Sequence, residues 1–284
     1  VNAREGSAPD KVILDVEVEE TTTGSLSFGG TYSTNSGFGI AAKFNETNFL
    51  GRGQKLNLVW SGGSDNRDYS VSFTEPSLLG RNLQFDLDLA YRETKQQYSL
   101  FNTRRAIFSP ALTFPLGERS KLRVGYTLQS TDMNTYSGGL ALLAAETAKR
   151  ELITSSVSYT YSFDSRLNGL NPDAGVLFEF GQDFAGVGGN TKYVKTRAKA
   201  IAQTKVYHDE ITLRATVEGG ALNFLAGQNS RVTERFGFGQ ELMRGFTPDG
   251  IGPREVSGVN NDYLGGKFYA VARFEAEFPL GLPE

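Results

Sequence analysis

The period of the side chains constrains this chain more than any other feature. Over residues 83–92, Leu83, Phe85, Leu87, Leu89 and Tyr91 alternate with Gln84, Asp86, Asp88, Ala90 and Arg92. Successive side chains of a strand point to opposite faces, so a period of two makes one oily face and one wet face. The alternation recurs at 24–33, where Leu26, Phe28 and Tyr32 oppose Ser25, Ser27, Thr31 and Ser33, and at 38–45, 54–62 and 69–74. It returns at 106–114, 122–129, 156–163, 176–181, 194–206, 211–218 and 268–278. Twelve strands are expected, many close to the ~9–11 residues that cross a bilayer when tilted. No segment carries a convincing 3.6-residue period. Residues 139–149 read as a short helix confined to a loop.

Composition narrows the classes. No stretch approaches the ~20 apolar residues of a membrane helix. A membrane barrel stays open, because its strands show lipid only every second side chain. The 20 Phe and 12 Tyr favour strands, and the 33 Gly supply turns. A net charge of -3 argues against nucleic-acid binding, which calls for a basic patch. The absence of Cys excludes disulfides and thiolate metal sites, and the single His208 leaves little room for His-based catalysis or a His-rich metal site.

A soluble sandwich alternates too, so the connections decide. The odd-numbered links grow from tight (34–37, 63–67) to long (131–151, 225–266), whereas the even-numbered ones stay turn-like at 75–80, 115–117 and 207–210. Short turns at one rim and longer loops at the other mark an outer-membrane barrel. The wet face carries Asp86, Asp88, Arg197, Lys199, Arg214, Glu218, Arg273 and Glu275 in mid-strand. Such charges suit a watery lumen and are costly in a sandwich core. The expected fold is all-β, a transmembrane antiparallel β-barrel over residues 21–284. Residues 12–20 read as one strand of a different, small domain, followed by the hinge Thr21-Thr22-Thr23-Gly24.

Candidates for chemistry are few. Asp86 and Asp88 share a wet face that lumenal solvation explains. His208 has no Gly-x-Ser-x-Gly elbow to serve, and Gly51-Arg52-Gly53-Gln54-Lys55 lacks the phosphate-loop spacing. Arg244 is the informative residue. It lies in Glu241-Leu242-Met243-Arg244-Gly245-Phe246, a cation boxed by a glycine and an aromatic inside a Gly-rich connection, which suggests a loop that folds inward and docks.

Six local matches, in order, resemble the BamA family of outer-membrane protein assembly factors. Val16-Glu17-Val18-Glu19-Glu20 before Thr23-Gly24-Ser25-Leu26-Ser27-Phe28-Gly29-Gly30 resembles the exit from the last periplasmic (POTRA) domain into the first barrel strand. Asn48-Phe49-Leu50-Gly51-Arg52-Gly53-Gln54 and Phe73-Thr74-Glu75-Pro76 with Leu79-Gly80 resemble the next two turns. Asp164-Ser165-Arg166 with Pro172-Asp173-Ala174-Gly175 resembles an Asp-x-Arg…Pro-x-x-Gly turn. Met243-Arg244-Gly245-Phe246 resembles the Val-Arg-Gly-Phe motif of the sixth extracellular loop, and Gly265-Gly266-Lys267-Phe268 through Phe278-Pro279-Leu280 resembles the strand after it.

The resemblance implies a barrel subunit that folds and inserts other β-barrels, with no cofactor and no enzymatic step. It implies unfolded barrel clients, outer-membrane lipid and accessory lipoproteins as partners, the last through periplasmic domains ahead of this chain. Residues 1–20 would end the last POTRA domain. Gly24, Ser25, Leu26, Ser27, Phe28, Gly29 and Gly30 would form the first strand, where a client strand adds. Arg244 would meet a lumenal carboxylate, Glu275 being the candidate here because it shares the charged face of 268–278 with Arg273 and Glu277. Gly245 would need a positive φ and Phe246 would anchor in the lumen, or both would serve as ordinary turn residues. The family barrel has sixteen strands, so about four, with a closing signal strand, are expected beyond Glu284. A complete twelve-stranded barrel is the alternative. TamA-like and two-partner secretion translocators, and a passive porin, are the rival functions.

Overall fold

The computed structural model describes residues 2–5, 11–15, 18, 21–33, 37–63, 65–95, 101–166, 174–208, 210–227, 231–240, 242–247, 249–257 and 260–278. Pro172-Asp173, Glu241, residues 279–284 and most of 16–20 lie outside the described residues. Two short strands, β1 (Asn2–Glu5) and β2 (Val12–Asp15), form a separate antiparallel hairpin. The strand expected over 12–20 is thus described only at Val12–Asp15, and its partner β1 was too short to show a period.

The main sheet begins with β3 (Gly24–Ser33), β4 (Gly37–Phe49), β5 (Gln54–Gly63), β6 (Asn66–Glu75), β7 (Gln84–Lys95) and β8 (Asn102–Pro115). It continues through β9 (Ser120–Asn134), the loop helix α1 (Ala141–Ala148), β10 (Glu151–Asp164), β11 (Ala174–Gly189), β12 (Tyr193–Val206) and β13 (Ile211–Phe224). A long connection carrying the hairpin β14 (Arg254–Ser257) and β15 (Asn260–Tyr263) leads to β16 (Phe268–Glu277). The twelve main strands form one antiparallel sheet in chain order, with β3 and β16 at its two ends. Among the described residues no ladder joins those two ends.

The register aligns the oily faces into rows. Trp60, Tyr69 and Tyr91 are cross-strand neighbours on β5, β6 and β7, and their rings stack at 6.5 and 6.1 Å. One step nearer the long-loop rim, Arg67, Glu93 and Arg104 align on the same face, with ion pairs of 3.3 Å from each Arg to Glu93. That charged row marks the membrane boundary. From Ala106 to Phe114, about nine residues of β8 at ~3.3 Å each and a tilt of ~40° give a band just over 20 Å tall, close to the ~25 Å apolar belt of a membrane barrel. Among the described residues no helix is long and apolar enough to cross a membrane; strands cross it.

The opposite face holds the charges. Asp86 on β7 is buried and accepts hydrogen bonds from Thr74 Oγ1 at 2.9 Å and Gln84 Nε2 at 2.8 Å. Arg123 reaches it from β9 across small Ala111 on β8, completing an ion pair. Arg197 pairs with Asp183 at 3.0 Å, and Arg273 with Glu218 at 2.8 Å. Curvature follows from the loop between β13 and β16. Arg105 of β8 donates to the carbonyl of Thr233 and Lys195 of β12 to that of Glu234, its neighbour. Strands four spacings apart would stand ~19 Å apart in a flat sheet, so the sheet curls around this loop.

A charge placed on either face discriminates lipid from lumen. In the full-length protein, Leu89→Arg on the outer face should lower folding stability by ~2–4 kcal/mol, read from urea unfolding in lipid vesicles. Ser72→Arg, on the lumenal face of β6, should change it far less.

Candidate functional site in the barrel lumen

The connection from Leu225 to Lys267, the sixth at the long-loop rim, enters the lumen and packs against the inner wall. Its first anchor is at the rim. Arg231 is buried and donates to the carbonyls of Thr131 on β9 and of Glu146 and Arg150 around α1. Glu146 in turn accepts the Val232 amide at 2.8 Å. Burial pushes the Glu146 carboxyl above the usual glutamate range, against the opposing pull of the Val232 N–H and of Arg235 and Arg231.

The second anchor is aromatic. Phe236 is only 6% exposed and packs with Ala185, Tyr193 and Leu222 of the wall. Tyr269 of β16 meets Phe236 and Phe238 at centroid distances of 4.8 and 4.5 Å. Lys195 Nζ sits 4.7 Å over the Phe236 ring while donating to Glu234 O at 2.9 Å. Gly220 of β13 makes the room. A Cβ there would lie 2.5 Å from Tyr269 Cε1 and 2.7 Å from Phe236 Cζ, distances no side chain tolerates. The loop closes on itself where Phe236 and Gly266 exchange backbone hydrogen bonds of 2.9 Å, with Gly265 turning at φ 67°.

Beyond these anchors the loop runs down β16. Leu242 O accepts from Arg273 Nη1 at 3.0 Å, and Arg273 also holds Glu218. Arg244 Nη2 comes within 3.6 Å of Glu275 Oε1, and Arg214 Nη1 lies 3.8 Å from the other oxygen. From Tyr269 to Glu275 is ~20 Å along the strand, so the motif reaches the short-turn end of the lumen. Gly245 has φ 92°, a left-handed conformation that favours glycine. The Arg244 side chain is 95% exposed, and an ion pair so wet contributes at most ~1 kcal/mol. Phe246 is 43% exposed, whereas Phe236 and Tyr263 of the same loop are buried.

Two other motifs find physical roles. Asp164 chelates Arg166 with two 3.0 Å hydrogen bonds, and a Cβ on Gly175 would strike Arg166 Cγ at 2.7 Å, so the Asp-x-Arg turn needs that glycine. Strand β3 pairs with β4 over its whole length, and its outward Phe28 is 75% exposed. A Cβ on Gly29 would meet nothing within 4 Å. Among the described residues no cluster of His, Cys, Asp and Glu is arranged to hold a metal.

The model of the Omp85 superfamily domain matches residues 48–283, most of the chain. The chain belongs to the Omp85 superfamily. Among curated members, it is similar to the outer membrane protein assembly factor BamA of Neorickettsia risticii, 28% identical over 273 residues, covering 96% of this chain and 36% of that protein. It is also similar to the sorting and assembly machinery component 50 homolog of Xenopus tropicalis, 28% identical over 277 residues, 94% of this chain and 56% of that protein. The chain thus spans between about a third and somewhat over half of these superfamily relatives. Among solved structures, BamA from Haemophilus ducreyi lacking POTRA domains 1–3 superposes with a TM-score of 0.77 at 18% identity, over 94% of this chain and 55% of that one. CdiB from Escherichia coli follows at 0.56 and 14%, over 99% and 53%. The superfamily fold is therefore that of a transmembrane antiparallel β-barrel of the outer membrane. The relatives named are assembly factors rather than enzymes.

The sequence pointed to Arg244 and Glu275 but not to Arg231, Lys195, Phe236 or Gly220. Only Gly220 left a signal, a Gly219-Gly220 pair in mid-strand, which marks close approach of another group. Gly220→Val should expel Phe236 and loosen the loop at a cost of ~1–3 kcal/mol. Limited proteolysis of the full-length protein should then cut within 231–247, whereas Val217→Ala, on the outward face of the same strand, should leave the loop resistant.

Proposed function

We propose that this chain is the barrel part of a factor that folds and inserts β-barrel proteins into the bacterial outer membrane, working without cofactor or bond chemistry. The observation that carries the reading is the side-chain composition of β3. Its lumenal face is Ser25, Ser27 and Gly29. A strand of small polar residues holds its register weakly, and a strand held so weakly can exchange its neighbour for a client strand by β-augmentation. Clients would supply the driving force, since lipid satisfies no backbone group and burial of their own ladders releases the free energy. The similarity to two assembly factors supports this reading.

Within it, Gly24 to Gly30 is the client-pairing segment and Met243-Arg244-Gly245-Phe246 is the loop motif held near Glu275. Residues 1–20, with the β1–β2 hairpin, are the end of the last POTRA domain, and residues 21–284 are barrel. Unfolded barrel clients and accessory lipoproteins are the partners. A TamA-like or two-partner secretion translocator is the second reading. A passive porin fits less well with a lumen occupied by loop six.

Gly29 separates stability from function. Among the described residues nothing needs glycine there, and valine should stiffen the strand by up to ~1 kcal/mol. Gly29→Val in the full-length protein should raise the unfolding midpoint while slowing client assembly. Photo-cross-linkers at Ser27 should capture a client's C-terminal strand in wild type. Absence of any such adduct, with client assembly normal in the valine variant, would refute the edge as the working surface.

A further inference from the structure

Helix α1 is too short to stand on its own. It has eight residues and no side-chain cap at its N-terminus, and isolated helices of this length do not persist in water. What holds it comes largely from loop six. At its start, the Leu140 amide donates to Tyr136 Oη at 2.7 Å, and that hydroxyl donates at 2.8 Å to Asp262, which is 2% exposed. In its middle, fully buried Leu143 packs on Phe101 and Met133 of the wall and on Val232 of loop six. At its end, Arg231 collects the carbonyls of Glu146 and Arg150. Terminal helix carbonyls lack partners within the helix, and a cation placed on them is favourable. Arg150 sits at φ 51°, a left-handed conformation unfavourable to a side chain, and its carbonyl meets Arg231.

The dependence runs both ways. The 3-10 turn Val232–Glu234 of loop six has its leading amide on the Glu146 carboxylate. Arg231 also grips Thr131 O of β9 at 3.2 Å, tying both loops to the wall. We propose that the loop carrying α1 and loop six form one cooperative lid over the long-loop mouth, with Arg231 as its positioning residue. When loop six leaves the wall, α1 unfolds; when α1 is disturbed, loop six loosens. The coupling stands on this geometry alone and is independent of the assembly role.

Hydrogen–deuterium exchange on the full-length protein in lipid nanodiscs tests it, since reciprocity is required of any true coupling. Arg231→Ala should speed exchange in 140–150 and 231–240 together, about tenfold or more, and leave β4 to β7 unchanged. Arg231→Lys, which keeps the charge but loses the planar fork, should restore only part of the protection. Tyr136→Phe removes one hydroxyl from the α1 loop and keeps the ring, so it serves where Arg231→Ala does not fold. It should speed exchange in loop six as well as in α1. A change confined to the mutated loop in either variant would overturn the proposal. Client assembly, scored separately in cells, judges the assembly reading and not the lid.

Discussion

Lipid offers no hydrogen-bond partner to a backbone, and the rest of this structure follows from that. Each N–H and C=O at membrane depth must find its partner in a neighbouring strand. Ten of the twelve main strands have ladders on both sides, and the two end strands have one each among the described residues. The alternating side chains then divide the environment. Rows of Phe, Leu, Val, Tyr and Trp face lipid, while carboxylates and guanidiniums face inward and pair along and across strands. A strand such as β3, with few side chains that demand its register, is the place where this arrangement is least determined.

The same reasoning ranks the contacts of loop six. The Arg244–Glu275 pair is the most conspicuous in the sequence and is the wettest ion pair among the described residues. Contacts that exclude water hold more: Arg231 on three carbonyls, Phe236 in the space left by Gly220, and Arg273 bridging Leu242 O to Glu218. Two firm anchors near the rim and a lightly held tip near the other end describe a loop fixed at its base. Such a tip can exchange partners without releasing the loop from the wall, which suits a motif whose Gly245 has nothing around it.

The strand order and the two rims were legible because period two survives wherever one face meets lipid. Strand lengths were not. Alternation suggested 176–181 for a strand that runs Ala174–Gly189, and 122–129 for one that runs Ser120–Asn134. Above the Arg67–Glu93–Arg104 row both faces are wet, so nothing forces Asp183 to Gly189 to alternate. The loop helix was visible as an apolar run within 139–149, but the residues that cap it lie 81 and 85 positions away for Arg231 alone. Local pattern cannot show such contacts. Arg244 was legible from its glycine and aromatic neighbours, and Arg273 as a wet-face charge, but nothing local tied Arg273 to the Leu242 carbonyl.

The central claim is that loop six lies inside the lumen with its motif near the short-turn end, and labelling tests it directly. This chain has no cysteine, so Met243→Cys, with any cysteine elsewhere in the full-length protein removed, gives a single reporter between Leu242 and Arg244. In cells with an intact outer membrane, a membrane-impermeant maleimide should fail to label it from outside. The same reagent admitted to the periplasm should label it readily. Rapid labelling from outside, with the barrel folded and the periplasm sealed, would place the loop at the cell surface and contradict the account.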